Sequence, residues 1–174
     1  MKTEVRKMLV NSLIQPWFDY ACNLWYRPIG KTKQLSIQRC QNKSIQFIMN
    51  LPSRHHMEFK LFKELKYLNV HKRVEYLTLC SAHAIINNNS PKYMHELINT
   101  RSHKHNTRSG TNSLYINNVK SHGKLSFGYN ASCSWNKLAS ETKSIVKKVP
   151  FKMACKKYLV NSMEVESKLD FIFY

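Results

Sequence analysis

Apolar residues in the first 98 positions recur mainly at intervals of three and four, the spacing that places them on one face of a helix. Val5 and Leu9 begin this series, and Pro16 then interrupts it, which predicts a kinked pair of helices. The second helix of the pair, residues 17–25, is apolar on nearly all sides, so we expect it to be buried. Its aromatic side chains are interpreted as core residues, with a platform for stacking nucleic-acid bases as the alternative.

A longer helix is predicted for residues 31–51, between a Pro-Ile-Gly break and Pro52. Its inward face is predicted to consist of Ile37, Cys40, Ser44, Ile48 and Leu51. Its solvent face is predicted to consist of Gln38, Gln41, Lys43 and Gln46. Apolar faces of the same period predict further helices within residues 57–68 and from residue 70 to the asparagines at 87–89. The predicted fold class is therefore mainly α, a multi-helix domain.

The chain changes in character after residue 98, and we predict four segments. Residues 1–98 form a helical domain, and residues 99–113 form a basic polar linker because they contain no large apolar side chain. Residues 114–163 form a basic C-terminal region of short strands and helices, and residues 164–174 form a tail.

Short elements are predicted within the C-terminal region. Residues 114–116 and 125–129 alternate between apolar and polar side chains, as short strands do, and are candidates for a β-hairpin near the C-terminal third. A helical turn is predicted around Trp135, and a final helix is predicted to open at Pro150.

The charge of the chain is unusual, with 28 Lys and Arg against 10 Asp and Glu and a formal net charge of +18. Between residues 99 and 161, twelve Lys and Arg accompany one acid, Glu141. Such asymmetry is typical of a phosphate-binding face, with a merely solvated lysine-rich face as the alternative. The predicted nucleic-acid contacts are Arg101, Lys104, Arg108, Lys120, Lys124, Lys148, Lys152 and Lys156. Because no recognition helix, zinc finger or RNA-binding motif is visible, we expect backbone contacts without sequence readout.

Metal and disulfide chemistry is not indicated. The five cysteines occur singly with no C-x-x-C pair, which argues against a zinc ribbon or a disulfide framework and predicts an intracellular protein of the cytoplasm or nucleus. His55 and His56 point roughly 100° apart on a helix, and His103 and His105 lack a third ligand. We expect no secretory signal, and no stretch approaches the roughly 20 apolar residues of a membrane span.

Catalysis by this chain alone is not expected. Polymerase and nuclease chemistry needs adjacent carboxylates that hold two metal ions, and the two aspartates, Asp19 and Asp170, lie far apart in the chain. No glycine-rich phosphate loop and no nucleophile elbow is present. No cofactor and no small-molecule substrate is therefore predicted.

A resemblance to a known family extends over roughly residues 9–159, and two segments within this range contain its motifs. Residues 12–25 match S-L-x-x-P-x-x-x-Y-A-x-x-x-W, and residues 105–138 contain H-N-T-R-S, G-K-x-S-F-x-Y and W-N-x-L in that order. This series resembles the region that follows the polymerase core in jockey-like, non-long-terminal-repeat (LINE-type) retrotransposon reverse transcriptases. Ala131 and Ala139 depart from the family pattern, which usually has glycine and proline at those places.

The resemblance implies that the chain is the helical thumb and C-terminal region of an RNA-directed DNA polymerase, which grips the template-primer through its backbone. The parent enzyme would use Mg²⁺, but its carboxylate ligands are not in this sequence. The expected partners are RNA or DNA, and no membrane partner is expected. The alternative is a structural or protein-interaction helical module, or a nonfunctional relic of the element. The sequence leaves the oligomeric state open.

Overall fold

The computed structural model describes residues 1–99 and 113–169. All regular elements in these ranges are helices, and no β-sheet is found among them, which confirms the mainly α fold class. The chain divides into two compact units: unit 1 contains residues 1–74 and the chain from Tyr158 onward, and unit 2 contains residues 75–157. The predicted linker lies mostly outside the described residues, as does the end of the predicted tail.

Unit 1 begins with a helical segment of irregular pitch. Helix α1 (Thr3–Leu9) continues into a π-helical turn (Val10–Ile14) and then into helix α2 (Gln15–Asp19). This π-helical turn lies directly before Pro16, because the proline has no backbone N–H to donate to the preceding turn. Ala21 then adopts the left-handed conformation, with φ of 47°, and the chain turns into helix α3 (Cys22–Trp25).

The prediction that residues 17–25 are buried is wrong for most of this segment. Trp17 and Tyr20 are each 81% exposed, and Leu24 is exposed as well, whereas Cys22 is buried. The prediction assumed one continuous helix surrounded by protein. The left-handed turn at Ala21 divides the segment into two short helices, and only the second places a side chain in the core.

Helix α4 (Lys31–Met49) contributes the fully buried residues Ile45 and Ile48 to unit 1, and helix α5 (Phe59–Leu65) contributes the fully buried residue Phe62. The predicted solvent face of α4 is wrong for two glutamines. Gln41 is buried and its Nε2 donates to the carbonyl of Leu68 at 2.8 Å. A buried amide is stable when its hydrogen bonds are satisfied, which apolar periodicity does not reveal.

Gln46 is the second buried glutamine of α4, and its amide bonds to the loop that follows the helix. Two predicted inward positions of α4 also differ from the structure, because Cys40 is exposed and Ile37 is only half-buried. The core face of α4 is therefore rotated toward residues 41, 44, 45 and 48.

Polar contacts join helix α6 (Val70–Ile86) to other parts of unit 1. The guanidinium of Arg73 binds the Asp19 carboxylate through two hydrogen bonds of 2.9 and 2.7 Å. Lys72 is buried and its Nζ donates to the hydroxyl of Ser162 at 2.9 Å, on helix α9 (Lys148–Leu169). Paired and bidentate contacts of this kind allow charged groups to stand inside a packed domain.

Unit 2 contains two 3₁₀ turns (Lys92–Leu97 and Gly123–Leu125), helix α7 (Phe127–Asn136) and helix α8 (Ser140–Lys143). The described residues contain no β-hairpin, and most of the second hairpin candidate lies in α7. Ser126 caps α7 by accepting a hydrogen bond from the N–H of Tyr129 at 3.4 Å. The buried residues Phe127, Ala131 and Trp135 then recur at the helical spacing of four.

The Trp-Asn-x-Leu motif has a structural role in unit 2. Asn136 clamps the backbone of Leu114, accepting from its N–H at 2.8 Å and donating to its carbonyl at 2.9 Å. The Trp135 ring stacks near Phe151 with 5.7 Å between centroids, and the His83 ring stacks on Phe151 at 3.9 Å. Nε2 of His83 donates to the carbonyl of Ile145 at 2.7 Å. The motif thus organises a packed aromatic core.

Replacing Gly128 with alanine is expected to destabilise unit 2 by about 1–3 kcal/mol. A Cβ at this position would overlap the backbone carbonyl oxygen of Leu97, which cannot rotate away as a side chain can. Chemical denaturation followed by circular dichroism measures the change. Gly30→Ser is the control, because nothing lies within 4 Å of a Cβ there and serine is a good residue for that N-cap. Equal unfolding midpoints for the two variants would contradict the close approach at Gly128.

Candidate nucleic-acid interface

A basic pocket in unit 1 forms where helix α4 ends. Asn50 adopts the left-handed conformation, with φ of 56°, and the N–H of Leu51 donates to the carbonyl of Gln46 at 2.9 Å. Asparagine tolerates this conformation, and Pro52 cannot continue a helix. The chain therefore leaves the helix axis, and residues 53–57 run back beside α4.

Two hydrogen bonds hold this returning loop. Nε2 of Gln46 donates to the carbonyl of His55 at 3.0 Å, and the N–H of His55 donates to the carbonyl of Pro52 at 3.0 Å. Met57 is buried at the end of the loop. The loop is thus fixed to the helix at its middle and at its end.

The pocket between α4 and the loop has a volume of about 420 Å³. The helix contributes residues at intervals of three and four, so one face of α4 forms one wall. The loop forms the other wall. The lining residues are Arg39, Asn42, Lys43, Gln46, Ser53, Arg54, His55, His56 and Met57.

The pocket is electropositive. Arg39, Lys43 and Arg54 each carry a charge at neutral pH, and no lining residue is acidic. None of the three is in an ion pair within the described ranges, where Lys63 pairs with Glu164 and Arg73 with Asp19. Cations without carboxylate partners in a concave site suit an anionic ligand.

The neutral groups of the pocket also favour an anion. Oδ1 of Asn42 accepts a hydrogen bond from Nε2 of Gln38 at 2.9 Å. The N–H groups of the Asn42 amide are therefore left to donate to other partners. The hydroxyl of Ser53 and the imidazoles of His55 and His56 can donate as well. Glu58, next along the chain, is the N-cap residue of α5 and is not among the lining residues.

Sequence reasoning missed this pocket. Lys43 was assigned to a solvent face, and His55 and His56 were considered only as metal ligands. The available signal was Arg39 and Lys43 one helical turn apart, followed by a helix stop and Arg54. What the sequence could not show was the direction in which the loop returns.

The predicted contact residues fall into three groups. Arg101, Lys104 and Arg108 lie outside the described residues. Lys120 and Lys124 are exposed in one turn of unit 2, where the N–H of Lys124 donates to the carbonyl of Lys120 at 3.3 Å.

The third group is on helix α9. Lys148 is exposed, and Lys152 and Lys156 are half-exposed beside the buried residues Phe151 and Cys155. Because all three belong to one helix at intervals of four, they follow each other along one side of it. We refer to Lys148, Lys152 and Lys156 as the α9 lysines.

The structure describes one of the two aspartates of the chain. Asp19 is held by Arg73, and Asp170 lies outside the described residues. Across residues 1–99 and 113–169, no three His, Cys, Asp or Glu side chains are close enough to share a metal ion.

No helix of the described part of the chain is both long and apolar enough to cross a bilayer. No protein-family model, no curated protein and no solved structure matches the chain. The resemblance to retrotransposon reverse transcriptases therefore stays a prediction.

Proposed function

We propose that this protein binds the backbone of RNA or DNA without reading its sequence. The observation that carries the proposal is the charge asymmetry of residues 99–161, with twelve cations against one acid. Five of the proposed contacts, Lys120, Lys124 and the α9 lysines, are exposed or half-exposed on unit 2. Lysines in this arrangement can approach phosphates and release their counterions.

We also infer that the chain derives from the region after the polymerase core of a LINE-type retrotransposon reverse transcriptase. The support is the order of the matching motifs along residues 12–25 and 105–138. In such an enzyme this region would grip the template-primer while another part of the polymerase performs the chemistry. The chain is accordingly not proposed to be a catalyst by itself.

Changing the α9 lysines to glutamine is expected to weaken binding of single-stranded RNA about tenfold or more at low salt. Each lost phosphate contact removes about 0.7 from the slope of log affinity against log salt, so the slope should fall by about 2. Fluorescence anisotropy across a salt series measures both quantities.

The matched control changes Lys31, Lys33 and Lys60 to glutamine, since these are exposed lysines of unit 1 and the net charge of the two triple variants is equal. Circular dichroism melting of each variant checks the fold. Affinity that does not depend on salt in the unaltered protein would overturn the proposal. An equal loss in both variants would overturn the assignment of the α9 lysines as contacts.

A protein-interaction module is the second candidate function, and the exposed apolar residues of unit 1 favour it. Large apolar side chains are exposed at four positions within residues 13–24, namely Leu13, Trp17, Tyr20 and Leu24. Exposed apolar surface is typical of interaction sites. Light scattering at increasing protein concentration distinguishes the candidates. Self-association that Trp17→Ser abolishes, together with no affinity for RNA, would favour the interaction module.

A further inference from the structure

We propose that the pocket between α4 and residues 53–57 is a binding site for a phosphomonoester, the terminal phosphate of a nucleic-acid strand. This inference rests on the proposed function and adds a distinct subsite to it. It places strand-end recognition in unit 1, separately from the backbone contacts proposed for unit 2.

The number of cations favours a terminal phosphate over an internal one. A phosphomonoester carries about −1.5 to −2 charges at neutral pH and offers three acceptor oxygens. An internal diester carries one charge and offers two free oxygens. Arg39, Lys43 and Arg54 all line one pocket of about 420 Å³. Their three positive charges exceed the single negative charge of a diester.

The positions of the cations favour contact from two sides. Arg39 and Lys43 are one turn apart on α4, so they are neighbours on its surface. Arg54 belongs to the loop that forms the opposite wall. Two guanidinium groups can each bind a pair of phosphate oxygens, and the ammonium of Lys43 adds a point charge.

The pocket is larger than a phosphate group. Its volume lies in the range of about 300–1,000 Å³ that is typical of small-ligand sites. The remaining lining includes the buried side chain of Met57 and the imidazoles of His55 and His56, which offer apolar and stacking surface. The amide of Asn42 offers N–H donors. This combination suits a sugar and a base attached to the phosphate, which makes the terminal nucleotide of a strand the expected ligand.

The test compares three RNA oligonucleotides of one sequence, with a 5′-phosphate, a 3′-phosphate or hydroxyl groups at both ends, by fluorescence anisotropy at physiological salt. At least one phosphorylated form is expected to bind about tenfold more tightly than the hydroxyl form, because charge-assisted hydrogen bonds are added. The two phosphorylated arms identify which end is recognised, and a preference for either supports the site.

Arg54→Gln is expected to abolish the preference for the phosphorylated end and to leave the affinity for the hydroxyl oligonucleotide within about twofold, since it removes only the proposed end contact. Arg54→Lys keeps the positive charge but lacks the planar guanidinium that binds two oxygens at once, so it should retain part of the preference that Arg54→Gln loses. Changing the α9 lysines to glutamine should weaken the binding of all three oligonucleotides by the same factor and leave the ratio of their affinities unchanged. Arg54 is exposed, so its substitutions are not expected to affect folding, and circular dichroism melting verifies this.

Equal, salt-dependent affinity for the phosphorylated and hydroxyl oligonucleotides would overturn the end-binding site and leave the proposed function standing. A preference that survives Arg54→Gln in the folded variant would overturn the assignment to this pocket. Failure to bind any of the three oligonucleotides at low salt would overturn the proposed function itself.

Discussion

Replacing Trp135 with alanine is expected to lower the free energy of unfolding by about 3–5 kcal/mol. Trp135 is only 2% exposed, and its ring lies 5.7 Å from that of Phe151 between centroids. Removing the indole leaves a cavity in the aromatic core of unit 2, and surrounding side chains fill such cavities only in part. Denaturation in urea, followed by circular dichroism, measures the loss.

Trp17→Ala is the matched control, because it deletes the same side chain at a position that is 81% exposed. We expect it to change the free energy of unfolding by no more than about 0.5 kcal/mol. A larger loss for Trp17→Ala than for Trp135→Ala would contradict the burial of Trp135 and the exposure of Trp17. A small effect of Trp17→Ala would agree with the exposure of Trp17 and contradict the interpretation of the aromatic residues at 17–25 as core.

The long helices were predictable from the sequence because each has many turns of one apolar period. Residues 31–51 were predicted to form a helix, and α4 spans Lys31–Met49. The same reasoning placed α6 between residue 70 and the asparagines at 87–89. Apolar periodicity and end signals predict a helix correctly where the helix is long and its ends are marked by glycine, proline or asparagine.

Short segments were less predictable, because a few residues fit two periods. Residues 125–129 alternate like a strand, yet Ser126 caps a helix whose apolar residues repeat at four over positions 127, 131 and 135. In residues 17–25 the left-handed turn at Ala21 breaks the predicted helix and leaves most of the segment unburied. Alanine is an unusual residue for that conformation. Apolar composition alone could not reveal that turn.

The candidate sites divide in the same way. The α9 lysines could be identified from the sequence because one helix determines their spacing. The pocket of unit 1 could not, because it depends on a loop that bonds back to Gln46, a residue predicted to be solvated. Buried amides that bind backbone groups are a tertiary feature, and periodicity assigns them to the surface.

The buried cysteines are expected to react with alkylating reagents far more slowly than the exposed Cys40. Burial raises the pKa of Cys155 to about 12, with a further contribution from nearby Cys80. Burial and the Asp19 carboxylate raise the pKa of Cys22 to about 11, although Arg73 acts in the opposite direction. Since only the thiolate reacts, we expect Cys155 to be labelled by iodoacetamide at pH 8 about a thousandfold more slowly than an ordinary exposed thiol. Mass spectrometry of peptides from a timed reaction measures each rate.

The same pKa values predict that stability falls at alkaline pH. Below pH 9 the thiol of Cys155 is protonated in both states, so its contribution is constant. Above pH 9 the unfolded thiol loses its proton while the folded thiol keeps it up to about pH 12, so the unfolded state binds fewer protons and is favoured. For the Cys155 thiol alone, the loss in the free energy of unfolding should approach about 1.4 kcal/mol for each pH unit above pH 9.

Cys155→Ala is the decisive variant for this prediction, because lysines and tyrosines also titrate in this range and only a difference isolates the thiol. The variant should be less stable than the unaltered protein at pH 8, since alanine leaves a small cavity, and the gap should narrow as the pH rises toward 11. Cys40→Ser is the control, because it replaces an exposed thiol and leaves the buried thiol of Cys155 in place. A gap that stays constant from pH 8 to 11, or labelling of Cys155 as fast as Cys40 in the folded protein, would show that α9 does not bury this face. The aromatic core that surrounds Phe151, four residues earlier on the same face, would then be in doubt as well.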